Sequence, residues 1–260
     1  MSPAVKARQE LLKLRWYGVT FVDWLGYLLR RKAFRAAAAK TTVHHINKPV
    51  RHRTRHTFQI AGDKVLSTSQ MELRWKIVTS LYPKKLTSLL DIGCCRGWFV
   101  VKAAMLPECG AAMGVDVVPE FIDEAKEAKR LLKLDKAQFE YAFLNELERD
   151  PQKYRLPYQT LLMINTYHYL YWGSRYCPTH WPDHDYLLRT LASMCTDRML
   201  LMSPFEVSEC PSDIAERARE HPDWAEQYTT SGFFDIASRY FDVSLETYLG
   251  VRPLYLMKIK

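Results

Sequence analysis

The sequence predicts an α/β fold: a doubly wound, mostly parallel, seven-stranded sheet with a C-terminal antiparallel hairpin, plus an N-terminal helical extension. Three observations carry this. Short apolar runs alternate with helical patterns from about residue 70 onward, the sign of a parallel sheet with crossover helices. One of those runs ends in a small-residue turn, Gly93-Cys-Cys-Arg-Gly97, directly before a helical pattern. The last two runs have no helix between them, so they must pair as a hairpin and add an antiparallel edge.

The extension comes first along the chain. Leu14, Tyr17, Phe21, Leu25 and Leu28 recur at helical spacing, so residues 10–35 read as a helix. Its run 16–29 holds one charge, Asp23, and is shorter than the roughly 20 apolar residues a membrane span needs. Basic flanks and Trp16, Trp24 and Tyr27 allow peripheral membrane contact. A helix packed on the main domain, covering an apolar face or a substrate pocket, is the preferred reading. Residues 44–56 are basic and His-rich, are broken by Pro49, and read as a linker or arm. The division is therefore a basic helix and arm over 1–56 and a main domain over 57–260.

In the main domain, helices are expected over 70–81, 98–105, 119–132, 186–194, 212–228 and 232–240. Strands are expected over 87–92, 111–117, 138–144, 160–165, 199–203, 243–249 and 254–259. Pro119 suits the first turn of its helix.

Charge is uneven. The formal net charge is +8, yet the first 56 residues carry 13 Lys/Arg against Glu10 and Asp23 alone. The basic character belongs to the extension and hints at an anionic partner, with RNA held through residues 40–56 as one such reading. Six cysteines without a paired framework, and no signal-peptide pattern, predict reduced thiols and a cytoplasmic location. Cys177, His180 and His184 have spacings open to zinc, but no fourth ligand is evident and no metal site is expected.

The chemistry concentrates at Leu89-Leu-Asp91-Ile-Gly93-Cys-Cys95-Arg-Gly97-Trp-Phe99. Glycines at 93 and 97 let the backbone approach a ligand and take positive φ. The helix beyond presents free N–H groups, and ligands of open α/β sheets sit at the carboxyl ends of the strands. A second strand ends in Asp116-Val117, where a carboxylate is placed to bind ribose hydroxyls. A nicotinamide dehydrogenase is disfavoured, because Gly-Cys-Cys-Arg-Gly-Trp lacks the Gly-x-Gly-x-x-Gly spacing.

These residues resemble a family. Asp91-Ile-Gly-Cys-Cys-Arg-Gly97 is similar to the first motif of class I (Rossmann-like) S-adenosylmethionine (SAM)-dependent methyltransferases, with Cys95 in place of the usual middle glycine. Gly-Val-Asp116 resembles their ribose-binding strand. Residues 158–170, with Asn165-Thr-Tyr-His168, resemble their fourth strand and following loop. The likeness spans about residues 70–260. The lead-in with Arg74-Trp75 is faintly similar to the enzymes that transfer a carboxymethyl group to the wobble uridine of tRNA.

The resemblance implies SAM as cofactor. Gly93, Cys95, Gly97 and Asn165 would lie along its methionine part, Asp91 near its amino group, Asp116 and Val117 at the ribose, and Asn145 at the adenine. His168 is the candidate general base, or a histidine that orders its loop. Tyr167, Tyr169 and Tyr171 are candidates for a substrate pocket or for core packing. The expected activity is methyl transfer to a small-molecule or lipid-like acceptor, with an RNA (tRNA) acceptor or a non-catalytic SAM-binding protein as alternatives.

Overall fold

The computed structural model describes residues 26–46, 57–249 and 252–260. The helical periodicity before residue 26 and most of the basic arm lie outside the described residues.

The seven strands of the main sheet are β4 (Ser88–Ile92), β5 (Ala111–Asp116), β6 (Ala137–Tyr141), β7 (Tyr158–Ile164), β8 (Cys195–Met202), β9 (Phe241–Leu249) and β10 (Arg252–Ile259). Their spatial order is β6-β5-β4-β7-β8-β10-β9. The first five run parallel, and β10 is antiparallel to both β8 and β9. From β4 the chain winds outward through β5 and β6. It then crosses back to β7 and winds the other way. The reversal opens a crevice between β4 and β7 at their carboxyl ends, where such sheets bind ligands.

Burial on both faces follows from the pleat. Leu89, Leu162 and Leu200 join one core with Trp98, Phe99 and Ile122. Their neighbours Leu90, Leu161, Met163, Met199 and Leu201 point the other way, into a second core with Leu187, Leu191 and Phe233. The first core is covered by α2 (Ser69–Thr79), α3 (Trp98–Ala104) and α4 (Pro119–Leu132), and the second by α7 (His184–Ser193) and α10 (Thr230–Tyr240). Side-chain caps start several helices. Thr68 accepts from the Met71 N–H before α2, Asp183 from Asp185 and Tyr186 before α7, and Thr229 from Gly232 before α10.

Four expectations need correction. The arm reading missed a small antiparallel sheet of β1 (Val43–Ile46), β2 (Phe58–Ala61) and β3 (Lys64–Ser67), in which β1 pairs with β2 across the expected boundary at residue 57. Its inner residues Ile46, Phe58 and Ile60 enter the first core, where Phe58 meets Trp98 at 5.4 Å between ring centroids. Three four-residue strands are too short for a two-residue alternation to stand out. The expected strand over 138–144 stops at Tyr141, and Leu144–Arg149 is a helix, α5. Glu146 accepts from the Phe143 N–H at 2.9 Å, and Leu144 and Leu147 turn inward together. The aromatic segment after β7 is a one-and-a-half-turn helix, α6 (Tyr167–Trp172). The single helix expected over 212–228 is two, α8 (Ser212–Glu220) and α9 (Pro222–Gln227), because Pro222 cannot continue the first.

Residues 26–38 are helical, as expected for the extension. This segment, α1, packs Phe34 against Ala61 and Leu66 of the small sheet. Arg30 on α1 pairs with the buried Glu72 of α2 at 3.4 Å, and Lys102 of α3 approaches the same carboxylate at 4.0 Å. No described residue of α1 lines the crevice. The described part of the helix therefore covers the small sheet, not the pocket. Among the described residues no helix is long and apolar enough to cross a membrane.

Candidate active site

A cavity of about 770 Å³ occupies the crevice, within the roughly 300–1,000 Å³ range of small-ligand sites. At one end stand Gly93 and Cys95 of the β4–α3 turn, Asp116 and Val117 after β5, and the apolar Phe121, Ala142, Leu144 and Leu147. At the other end stand Asn165, His168, Tyr169, Arg175, Asp213 and Arg252.

The turn is held by its own backbone. Gly93 and Cys94 both donate to the Val115 carbonyl, at 2.9 and 3.0 Å. Gly93, Cys95 and Gly97 all have positive φ, at 76°, 52° and 75°. A β-carbon on Gly93 would fall 2.1 Å from the Thr166 hydroxyl, so this glycine lets the β7–α6 loop close onto the turn. A β-carbon on Gly97 would meet the Phe139 ring at 2.4 Å. Gly97 thus serves packing of α3 on the sheet and does not line the cavity. Cys95 adopts the left-handed conformation even with a side chain, and burial pushes its thiol up to about 12. A thiol so raised stays neutral and is a poor nucleophile near neutral pH.

Asp116 spans the gap between β5 and the turn. Its Oδ2 accepts from the Cys95 N–H at 2.7 Å and its Oδ1 from the Val118 N–H at 3.0 Å. Burial raises this carboxyl to about 6, against the opposing pull of those N–H groups. Asp91 lies behind the turn, away from the cavity lining, with Oδ2 unpartnered and 2% of the residue exposed. Burial, with Asp116 nearby, drives its carboxyl well above the usual carboxylate range.

Asn165 takes positive φ and donates its N–H to the Met202 carbonyl at 2.6 Å, turning the chain at the end of β7. Its side-chain oxygen accepts from Arg252 at 3.2 Å. His168 lies on α6 and its Nδ1 is 3.0 Å from the Ser203 hydroxyl, which also accepts the His168 N–H at 3.3 Å. Burial, with Arg252 adding, lowers the imidazole to about 3. Of the three candidate tyrosines only Tyr169 faces the cavity. Tyr167 and Tyr171 are fully buried against His184, Tyr228 and Phe233.

Gly93, Cys95, Asp116, Val117, Asn165 and His168 therefore share one cavity, whereas Asp91 and Gly97 support it from behind. Asn145 is on the exposed side of α5, outside the lining, because that segment is helix and not strand. Sequence reasoning missed Thr166, Ser203, Arg252 and residues 174–176, and weighed Cys177 only as a zinc ligand. Arg252 had a signal: an antiparallel last strand begins at the end of the sheet where its parallel neighbours finish.

A family model described as a methyltransferase domain matches residues 83–228, more than half of the chain. No curated protein matches the sequence. Among solved structures, the chain is similar to WbdD in complex with a kinase inhibitor, with TM-score 0.52 and 16% identity over 71% of this chain. This chain spans only 40% of that one, and another WbdD structure describes a bifunctional kinase-methyltransferase. It is also similar to magnesium protoporphyrin IX methyltransferase from Synechocystis PCC 6803 with bound SAH, with TM-score 0.47 and 16% identity over 72% of this chain and 79% of that one. N-methyltransferase NodS from Bradyrhizobium japonicum WM9 matches with TM-score 0.49 and 13% identity over 73% of this chain and 96% of that one. With a family match over more than half of its length, the chain belongs to the methyltransferase-domain family.

Proposed function

We propose that this chain transfers the methyl group of SAM to a small-molecule acceptor seated beside His168 and Tyr169. The observation that carries this reading is the single cavity that joins the Gly93–Cys95 turn and Asp116 to a separate polar end. The donor set suits the cofactor. Asp116 keeps lone pairs after accepting two N–H bonds, so it can receive ribose hydroxyls. Phe121, Ala142, Leu144 and Leu147 offer an apolar slot for the adenine, in place of Asn145. Asn165 and the turn border the methionine part.

SAM supplies a methyl group already activated on a sulfonium. What remains for the protein is alignment of the acceptor with that carbon and exclusion of water. Tyr169 and Asn165 shape the acceptor end, and Ser203 fixes the His168 ring. An imidazole lowered to about 3 is a weak base. His168 therefore orients the acceptor through a hydrogen bond.

The whole cavity, at about 770 Å³, is of small-molecule size, which favours such a substrate over RNA. The RNA reading rests on residues 40–56, most of which lie outside the described residues. We also propose a cytoplasmic location, with residues 10–35 able to meet a membrane surface. Leu29 is 70% exposed beside the exposed Arg30, Arg31 and Lys32, which agrees with a surface contact.

The test is calorimetric titration with SAM and its demethylated product, S-adenosylhomocysteine (SAH), on the wild type and Asp116→Ala. Binding by the wild type that the variant loses supports the cofactor site. A folded wild type that binds neither compound overturns it.

A further inference from the structure

The acceptor end of the cavity is electrically unbalanced. Arg252 opens β10 and reaches back across the sheet end. One terminal nitrogen donates to Asn165 Oδ1 at 3.2 Å and the other to the Glu209 main-chain carbonyl at 3.3 Å. Both partners are neutral. Among the described residues no carboxylate lies within 4.0 Å of this guanidinium. Asp213 lines the same cavity but pairs with neither Arg252 nor Arg175. Arg175 lines the same cavity and is exposed, its guanidinium 4.8 Å from the Tyr176 ring centroid and donating to the Tyr176 hydroxyl at 3.1 Å. Tyr169 lies among these groups and feels Asp213, Arg252 and Arg175 together. Two cations and one carboxylate thus surround an otherwise uncharged chamber that holds His168 and Tyr169.

A guanidinium has five donors in a planar fork. Asn165 and Glu209 fix the plane of Arg252 through two of them, so the group is pre-oriented and its remaining N–H groups are free for a ligand. A half-buried arginine held by neutral groups is suited to an anion, because a charge-assisted, two-point contact is stronger than any neutral hydrogen bond available there. We propose that the acceptor carries an anionic group, a carboxylate or a phosphate, which docks on Arg252 with Arg175 closing from the mouth. This rests on the methyltransferase reading and adds the class of substrate. Specificity follows: a neutral analogue leaves Arg252 unmatched, and the acceptor atom is positioned at the distance from its own charge that spans Arg252 to the cofactor end.

Inorganic phosphate and acetate, one for each source of the charge, serve as probes. Each is titrated into the full chain by calorimetry, with and without SAH, at ionic strength held constant with chloride. Wild type, Arg252→Gln and Arg252→Lys are compared. The expected result is saturable binding of at least one anion to the wild type. Arg252→Gln weakens it at least tenfold, Arg252→Lys less, and the anion that binds names the source. Three results would overturn the proposal: neither anion binds, Arg252→Gln binds as well as wild type, or Arg252→Gln weakens SAH and not the anion. The last assigns the guanidinium to the carboxylate of the cofactor. Anion binding that depends on Arg252 without any SAH binding would leave this site standing and remove the cofactor reading instead.

Discussion

Asp116 Oδ2 accepts the Cys95 N–H at 2.7 Å, so the residue expected to hold a ribose also holds the turn that faces it. The same carboxyl is raised to about 6 by burial. Two consequences have opposite signs. Cofactor affinity needs the ionised form as acceptor. It is expected to be highest above pH 7 and to fall up to tenfold per unit below pH 6. Stability of the free protein runs the other way. A carboxyl raised on folding contributes stability that is present below its unfolded value near 4 and is lost as pH rises through 6, about 3 kcal/mol in all. Asp116→Asn removes both dependences, and its amide cannot accept from both Cys95 and Val118. Calorimetry and thermal melting from pH 4.5 to 8, read as wild type minus variant, check the pair of signs.

Gly93→Ala is expected to weaken both folding and cofactor binding. The added carbon would lie 2.1 Å from the Thr166 hydroxyl oxygen and 2.7 Å from its methyl group, and φ at 76° is strained for alanine. The backbone strain alone is worth about 1–3 kcal/mol. Thr166→Gly in the same chain removes the clash but not the strain. A double-mutant cycle by chemical denaturation should therefore show partial rescue. Full additivity of the two losses would mean that the loop and the turn do not press on each other.

The parts legible in the sequence are those whose signal is local. The Gly93–Gly97 turn, Asp116 and Asn165 stand at strand ends, and a strand end followed by glycine or an acidic residue is visible without knowing the fold. Pro119 opening α4 is local too. What escaped depends on distant partners. Leu144 and Leu147 read as the end of a strand until β6 is seen to stop at Tyr141 and Glu146 to cap the next helix. Tyr167 and Tyr171 are indistinguishable by type from Tyr169, yet helical spacing sends the first two into the core. Arg252 is 87 residues from Asn165, and only the antiparallel return of β10 brings them together.

Behind the turn, Arg96 and Glu124 form a buried pair at 2.7 Å, with 2% and 5% of the side chains exposed. Arg96 also lies over the Phe121 ring, which lines the cavity. Removing the carboxylate leaves Arg96 buried without its counter-charge on α4, a loss of about 3–5 kcal/mol. Glu124→Leu is expected to show this in urea denaturation. Arg96→Met combined with Glu124→Leu should recover most of it, since a desolvated pair contributes little over apolar packing. A double variant as unstable as the single one would show that the pair itself, and not the lost counter-charge, stabilises α4.

His168 and Ser203 offer the sharpest division between base and orienting group. Burial and Arg252 hold the imidazole to about 3, so it is neutral throughout the working range. If it orients the acceptor, kcat against pH should lack a limb near 6.5. His168→Gln, which keeps a hydrogen-bonding group, should then retain turnover within about tenfold, below the roughly 10²–10⁴-fold that a general base contributes. Ser203→Ala frees the ring at Nδ1 and should raise KM more than it lowers kcat. The folding side has a definite sign as well. A histidine lowered on folding contributes stability that is present above about 6.5 and is lost as pH falls toward 3, because the unfolded chain takes up a proton that the folded one refuses. His168→Gln should flatten the melting temperature between pH 6.5 and 4 relative to wild type. A bell-shaped kcat profile with a limb near 6.5, or a loss of more than about a hundredfold in His168→Gln, would make the imidazole the base after all.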